Sequence, residues 1–101
     1  MKEILFGLIL ILSSAVAAAD EFLETRTVLR ILSENQTTAG FYTKEGLTQC
    51  KWGIMFIDLS SEAGRAQFSM ILTAKVAGQK IIRMNYIISS EKCRLTGLHT
   101  Q

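Results

Sequence analysis

The feature of this 101-residue sequence that most restricts its fold is a single helical stretch set between two groups of extended segments. Ser60 and Ser61 offer N-cap hydroxyls, and Glu62 places an acid where the helix dipole favours one. Gly78 stands where a left-handed C-terminal residue is wanted. The sequence therefore predicts one helix from Glu62 to Ala77.

Extended segments flank the helix, and they alternate side chains between two faces as strands do. Three precede the helix and two follow it, at residues 25–33, 41–44, 50–59, 80–88 and 93–100. The segment 50–59 is apolar on both faces, so both faces should be covered, with Trp52 in the core. Gly97 suits a bend or bulge in the last strand.

The order β-β-β-α-β-β is that of the oligonucleotide/oligosaccharide-binding (OB) barrel, a partly open five-stranded barrel. We therefore expect a mainly β fold with one helix, built as a five-stranded OB-fold-like barrel. An ordinary α+β sandwich is the competing fold. The chain contains no proline and no low-complexity linker, so residues 20–101 are predicted to form a single domain.

The N-terminal residues MKEILFGLILILSSAVAAAD are typical of a secretory signal peptide. Lys2 supplies the basic start, an apolar run follows, and Ala17 to Ala19 form a small-residue cleavage site. The apolar run is about half of the roughly 20 residues that span a bilayer. We predict that residues 1–19 are removed and that the rest is secreted or periplasmic, without stable membrane insertion.

Cys50 and Cys93 are the two cysteines of the chain, and an exported protein meets an oxidising compartment. A disulfide between them is predicted, and two buried free thiols are the alternative. A mature chain of this size builds a core that gives only marginal stability. Closing the long loop between the cysteines would add roughly 4 kcal/mol on the chain-entropy model.

The helix is apolar nearly all the way round. With successive residues 100° apart, the bulky side chains fall on one arc, which is expected to plug the barrel: Phe68, Ile71, Leu72 and Val76. An opposite arc of small residues would face outward, and it consists of Ala63, Ala66, Met70, Ala74 and Ala77. That arc either meets water, because exposed alanine costs little, or forms the interface of a homo-oligomer.

The residues from Trp52 to Tyr86 carry a resemblance to a known family. FIDLSS, AGRAQFSMILTAKVAG and QKIIRMNY resemble a strand, the helix and the next strand of the B subunits of bacterial AB-type toxins. The subtilase-cytotoxin and pertussis-like B subunits are the nearest, with small secreted bacterial proteins of the same build. The resemblance implies an exported, disulfide-bonded barrel in a five-membered ring that binds cell-surface glycans and serves a catalytic A-type subunit.

Binding of a glycan needs an aromatic ring to stack on a sugar, and amides or hydroxyls to pair with its hydroxyl groups. Tyr42 and Tyr86 are the candidate rings, and half-buried packing in the barrel wall is the alternative for both. The candidate polar partners lie in the first turn and on the fourth strand: Asn35, Gln36, Thr37, Thr38, Arg83 and Asn85.

No residue pattern predicts catalysis, a cofactor or a metal site. His99 is the only histidine, and it has no metal-ligand partner at a usual spacing. A triad of His99, Asp58 and a nearby serine could assemble in space, but no motif supports it. The net charge of +2 gives no electrostatic case for nucleic acid.

We therefore expect a non-enzymatic binding module that self-associates and recognises a cell-surface glycan or protein. The alternative is a monomeric envelope or structural protein that contacts other proteins and binds no glycan.

Overall fold

The computed structural model describes residues 20–22 and 24–101, and the predicted signal peptide lies outside them. These residues form a mainly β fold with one α-helix, as predicted. The strands are β1 (Asp20–Phe22), β2 (Val28–Asn35), β3 (Thr38–Thr43), β4 (Ile54–Asp58), β5 (Ile81–Ser89) and β6 (Lys92–Thr100). The helix α1 is Glu62–Ala77, and a short 3-10 turn, Lys51–Gly53, precedes β4.

The six strands make one sheet in the order β1-β5-β6-β4-β3-β2. The pairs are antiparallel except for β4 and β6, which run parallel with Met55 opposite Cys93 and Phe56 opposite Arg94. β1 and β2 form the two edges, so the sheet is open as paired. The pairing therefore establishes the mainly β fold and leaves closure into a barrel a prediction.

The residues between β1 and β2 contact strands near both edges of the sheet. Arg26 and Ile81 exchange backbone hydrogen bonds of 2.8 and 2.9 Å at the start of β5. The Thr27 carbonyl accepts a 2.9 Å bond from the Lys44 N–H just beyond β3. The Glu45 carboxylate accepts bonds from the Thr27 N–H, at 2.7 Å, and from its hydroxyl, at 2.9 Å. This short segment is thus held between β5 and β3.

The bonds to the Glu45 carboxylate favour its ionised form. Burial is the largest single influence and would raise the pKa of Glu45, but the hydrogen bonds from Thr27 outweigh it and hold the pKa below its usual value. The contact between Glu45 and Thr27 therefore stabilises the fold above the usual pKa of a glutamate, and this contribution is lost as the pH falls through the lowered value.

The core lies between the inner face of the sheet and one side of α1. Its fully buried side chains include Phe41, Met55, Ile57, Ile71, Ile81 and Met84. Strand β4 is buried on both faces, since its residues from Ile54 to Ile57 are each at most 8% exposed. This confirms that the strand is covered on both sides. Ile54 and Phe56 lie on the outer face, away from the core cluster.

The helix begins and ends where the sequence predicts. The Ser61 hydroxyl accepts a 3.0 Å bond from the Gly64 N–H, and Gly78 closes the helix in the left-handed conformation with φ 73°. In residues 20–22 and 24–101, no helix has the length and the apolar character that crossing a membrane requires.

The side of α1 that faces the core differs from the prediction. Gly64, Ile71 and Ala74 are buried, and Phe68 packs against the core at partial burial. Leu72 is 41% and Val76 87% exposed, so their assignment to a barrel plug is wrong. Ala74 is 1% exposed, so its place on an outward arc is wrong as well. The side of α1 that faces the sheet thus lies between the bulky arc and the small-residue arc. Gly64 and Ala74 are small enough there to let the helix approach the sheet closely.

The predicted disulfide and the predicted bulge are both confirmed. Cys50 and Cys93 are bonded, with their Cα atoms 5.3 Å apart and a sequence separation of 43. The bond joins the residue before the 3-10 turn to the start of β6. In β6 the register shifts beside Gly97, where an added Cβ would lie 2.8 Å from the Asn85 Oδ1.

Substitution of Gly64 tests the close approach of α1 to β4. A Cβ at this position would clash with the Asp58 carbonyl oxygen. Alanine is the better helix former by about 1 kcal/mol. Gly64→Ala should nevertheless lower the free energy of unfolding by about 2 kcal/mol, because the backbone at Asp58 or in α1 must shift to make room. Urea denaturation measures the change.

The matched control is Ser69→Ala on the exposed side of the same helix, which should stay within about 0.5 kcal/mol of the parent protein. A Gly64→Ala variant as stable as the parent would contradict the packing of α1.

Candidate functional site

The outer face of β2, β3, β4 and β6 carries aromatic and basic side chains in register. Arg30 lies opposite Tyr42, Tyr42 opposite Ile54, and Phe56 opposite Arg94. The Arg30 guanidinium stands 4.5 Å from the centroid of the Tyr42 ring, which is a cation–π contact. The core occupies the other face of these strands. On the outer face Arg30 and Arg94 are exposed, Tyr42 is half-buried, and Ile54 and Phe56 are buried.

Trp52 stands at this face, and the prediction that it belongs to the core is wrong. Its side chain is 61% exposed. Strand alternation does not apply to it, since β4 begins only at Ile54 and the Trp52 backbone is left-handed, with φ 60° and ψ 9°. The indole is therefore presented by a turn.

The turn that carries Trp52 is fixed on both of its sides. The residue before the turn, Cys50, is bonded to Cys93. The Lys51 N–H donates a 2.8 Å bond to the Glu91 carbonyl, which lies in the connection between β5 and β6. The Gly53 N–H donates a 2.9 Å bond to the Cys50 carbonyl. An exposed ring is thus held on an anchored backbone.

Backbone strain gathers at the same place. Among the described residues, the non-glycine positions with positive φ are Trp52 at 60°, Ser90 at 53° and Glu91 at 71°. Ser90 and Glu91 form the two-residue β5–β6 connection, where glycine or asparagine is the usual choice. Each such residue costs about 1 to 2 kcal/mol. Strain of this kind collects at functional positions and is a reason to look for a ligand there.

Two clefts border Trp52. The first has a volume of about 580 Å³, and its lining includes Arg30, Glu34, Tyr42, Trp52 and Ile54. The second has a volume of about 490 Å³, and its lining includes Glu34, Asn35, Trp52, Phe56, Lys92 and Arg94. Since Glu34 and Trp52 line both, we treat the clefts as one surface and name it the Trp52 groove.

The ammonium groups of two lysines, Lys51 and Lys92, lie over the Trp52 ring. The Lys51 Nζ is 4.7 Å and the Lys92 Nζ 5.4 Å from the ring centroid, and the Lys92 Nζ is also 5.7 Å from the centroid of Phe56. These contacts hold positive charge beside an apolar ring surface. The groove can therefore offer one ligand both a stacking platform and cationic hydrogen-bond donors.

The structure brings only part of the predicted glycan site together. Tyr42 lines the first cleft, while Asn35 and Thr38 line the second. Gln36 and Thr37 lie exposed at the tip of the β2–β3 hairpin. The Asn35 Oδ1 accepts bonds from the Thr37 N–H, at 2.9 Å, and from its hydroxyl, at 3.2 Å, so this amide is engaged within the turn.

The predicted residues of β5 do not line the groove. Arg83 and Asn85 are half-buried and line neither cleft. Tyr86 is 3% exposed, and its hydroxyl accepts a 3.2 Å bond from the Gln49 side chain. A buried ring cannot stack on a sugar, so the assignment of Tyr86 to the binding surface is wrong.

Sequence reasoning missed the residues that dominate the groove, namely Trp52, Phe56, Arg30, Lys92 and Arg94. One signal was present. A glycine follows Trp52 directly, and a glycine within an apparent strand often marks a break in it. Gly53 has φ 71°, which fits a turn and not a strand.

The predicted interface residues of α1 have unequal exposure. Ala63, Ala66 and Ala77 are exposed, Met70 is half-buried, and Ala74 is buried in the core. Leu72, Thr73, Val76 and Ala77 line a small apolar surface on the same helix.

Asp58 and His99 are separated along the sheet. The Asp58 Oδ1 accepts bonds from the Ser60 hydroxyl, at 2.6 Å, and from the Ser60 N–H, at 2.9 Å, and these bonds lower the pKa of Asp58. Asp58 thus orders the turn that leads into α1. Asp58 lines a small cleft with Thr96, and His99 lies three residues farther along β6, about 10 Å along a strand.

Comparison of the chain with protein-family models, with curated proteins and with solved structures finds no match. The resemblance to toxin B subunits therefore stays a resemblance, and a function must be argued from the geometry of this chain.

Substitution of Trp52 by glycine tests whether the indole serves the fold. The side chain is 61% exposed and the backbone left-handed, so Trp52→Gly loses little burial and removes strain. The free energy of unfolding should stay within about 1 kcal/mol of the parent value. Phe56→Ala, at a position 8% exposed on the same face, should lower it by about 3 kcal/mol. A comparable loss in Trp52→Gly would show that the indole is structural.

Proposed function

We propose that this protein is a secreted or periplasmic, non-enzymatic binding module that recognises a cell-surface glycan through the Trp52 groove. The observation that carries the proposal is the exposed indole of Trp52, held on an anchored and strained turn. Large aromatic rings are usually buried for packing. An aromatic ring that is exposed at the cost of backbone strain favours a role in binding.

The groove has the chemistry that sugars need. The Trp52 ring gives an apolar face for the C–H groups of a pyranose. Thr38 and Asn35 line the same cleft, and although the Asn35 Oδ1 is engaged within the turn, its Nδ2 can donate to a sugar hydroxyl group. The disulfide holds the turn without the help of a ligand. A preformed surface of this kind avoids the entropic cost of ordering a loop on binding.

We also infer that the sheet closes into an OB-type barrel. Support comes from the chain between β1 and β2, since Arg26 bonds to β5 while Thr27 bonds to the residue after β3. The two edge strands are thus parts of one segment that runs from β5 to β3. In an OB barrel, oligosaccharides bind on the outer face of the second and third strands. Here that face belongs to β3 and β4, where the groove lies.

Self-association through α1 is a further part of the proposal, in line with the resemblance to ring-forming B subunits. Ala63, Ala66, Met70 and Ala77 remain available on the helix surface, whereas Ala74 serves the core. Small residues allow two helices to approach closely. A domain of this size gains from burying shared surface.

Glycan binding should depend on the ring of Trp52. Binding of the purified protein to a glycan array should yield ligands, and Trp52→Ala should weaken each by about tenfold or more, a loss of about 1.4 kcal/mol. Trp52→Phe keeps an aromatic face and should retain part of the affinity. Val76→Ala on α1, where the side chain is 87% exposed, is the control and should bind as the parent does. Absence of any glycan ligand would refute the proposal.

The oligomeric state tests the helix interface. Native mass measurement at micromolar concentration should show an oligomer, and Met70→Glu should dissociate it because a charge would enter the contact. Lys75→Glu, on an exposed part of α1 outside the proposed interface, should leave it assembled. A monomeric parent protein would instead favour the structural role without self-association.

A further inference from the structure

Positive charge is concentrated at the Trp52 groove. Arg30 lines the first cleft, Lys92 and Arg94 line the second, and Lys51 lies over the Trp52 ring. All four side chains belong to exposed residues. Within residues 20–22 and 24–101, none of the four forms an ion pair with a carboxylate. Arg30, Lys51 and Lys92 lie over aromatic rings, and Arg94 is attracted by the Asp58 carboxylate. These contacts are exposed to solvent, so a ligand can take their place.

This concentration is local. The whole chain holds 11 basic and 9 acidic residues, for a net charge of +2. Arg30, Lys92 and Arg94 line the groove and Lys51 adjoins it, against one lining carboxylate, that of Glu34. The Asp58 carboxylate lies outside the lining but attracts Arg94. Exposed charges are screened within about 10 Å at ordinary ionic strength, so the local balance and not the net charge governs what binds here.

We propose that the groove takes a linear polysaccharide that carries repeated sulfate or phosphate groups. This rests on the proposed glycan binding and names the class of glycan. Cations lie in both clefts, on either side of the Trp52 ring, so a ligand with a single charge would leave most of them unused. A chain with anionic groups along its length can pair with Arg30 on one side and with Lys92 and Arg94 on the other, while a sugar ring lies on Trp52.

The charged residues of the groove differ in how they would contact an anionic polysaccharide. The Arg94 guanidinium offers paired N–H donors that match two oxygens of a sulfate or phosphate group. Lys92 and Lys51 act as point charges beside the Trp52 ring. Glu34 opposes an anionic chain from the middle of the groove, so removal of its charge should strengthen binding.

Single-stranded nucleic acid is the other linear polyanion, and the groove fits it less well. Sequence-tolerant binding of bases relies on several aromatic rings in succession. In the groove, Trp52 is 61% exposed, whereas Phe56 is 8% exposed and Tyr42 lies half-buried beneath Arg30. A single exposed ring accompanied by lysine cations favours a sugar chain over a row of stacked bases.

The test measures binding of a heparin oligosaccharide over a range of salt concentration, beside its chemically desulfated counterpart. We expect the sulfated probe to bind at least tenfold more tightly, and its affinity to fall steeply with salt. Joint substitution Lys92→Gln and Arg94→Gln should weaken binding and reduce the slope of log affinity against log salt by about two, one for each lost contact. Glu34→Gln should strengthen binding.

A charge-matched control is Lys75→Gln on α1, which should leave the affinity and the slope unchanged. Equal binding of the desulfated probe, or a slope that the double variant does not change, would overturn the inference. Tighter binding of single-stranded DNA than of the sulfated probe would overturn it in favour of nucleic acid. If neutral sugars still bind with dependence on Trp52, the proposed function survives this failure. If no glycan of either kind binds, both fail.

Discussion

The joint between β4 and β6 is the contact on which the rest of the structure depends. The chain before α1 forms β2, β3 and β4, and the chain after it forms β5 and β6. These two groups meet along a short parallel pairing at Met55–Cys93 and Phe56–Arg94. The disulfide Cys50–Cys93 closes the joint covalently, with a contribution of roughly 4 kcal/mol on the chain-entropy model. The same bond fixes the turn that carries Trp52, so the stability of the fold and the position of the indole have a common source.

The helix shows how small residues shape a minimal domain. The chain places Gly64 and Ala74 where α1 meets the sheet, with Ile71 buried between them. A helix that approaches so closely covers the end of β4 without a wide stripe of large side chains. The bulky Leu72 and Val76 are consequently left at the surface. The helix is apolar on all sides because the side that packs on the sheet takes only part of the bulky arc and part of the small-residue arc, and the other apolar residues of both arcs remain outside this contact.

Local signals carried the predictions that the structure confirms. The bounds of α1 follow from capping at Ser61 and Gly78, which depends on neighbours within one turn. The burial of β4 on both faces follows from its apolar run, and the disulfide follows from two cysteines in a chain with a predicted export signal. The bulge beside Gly97 follows from the one residue type that permits the close contact with Asn85.

The errors arise where placement depends on distant parts of the chain. The side of α1 that packs is set by how near the sheet lies, which periodicity does not report. Tyr86 is buried because it belongs to a core cluster whose members come from distant segments of the chain. The Trp52 turn depends on contacts with Glu91 and Cys93. The alternation in KWGIMF therefore predicted a strand through residues that form this turn, and β4 begins only at Ile54. Most of the groove consists of residues that only the sheet register brings together.

Trp52 is exposed to water yet held on an anchored turn, and the proposed binding depends on both properties. Trp52 is the only tryptophan of the chain, so its fluorescence reports this residue alone. The measurement is time-resolved anisotropy of that fluorescence in the oxidised protein, with acrylamide quenching on the same sample. We predict efficient quenching together with an anisotropy that decays at the tumbling rate of the whole domain. An indole shielded from acrylamide would place Trp52 in the core, and fast independent decay would show an unanchored turn. Either result would rule out Trp52 as a preformed binding surface.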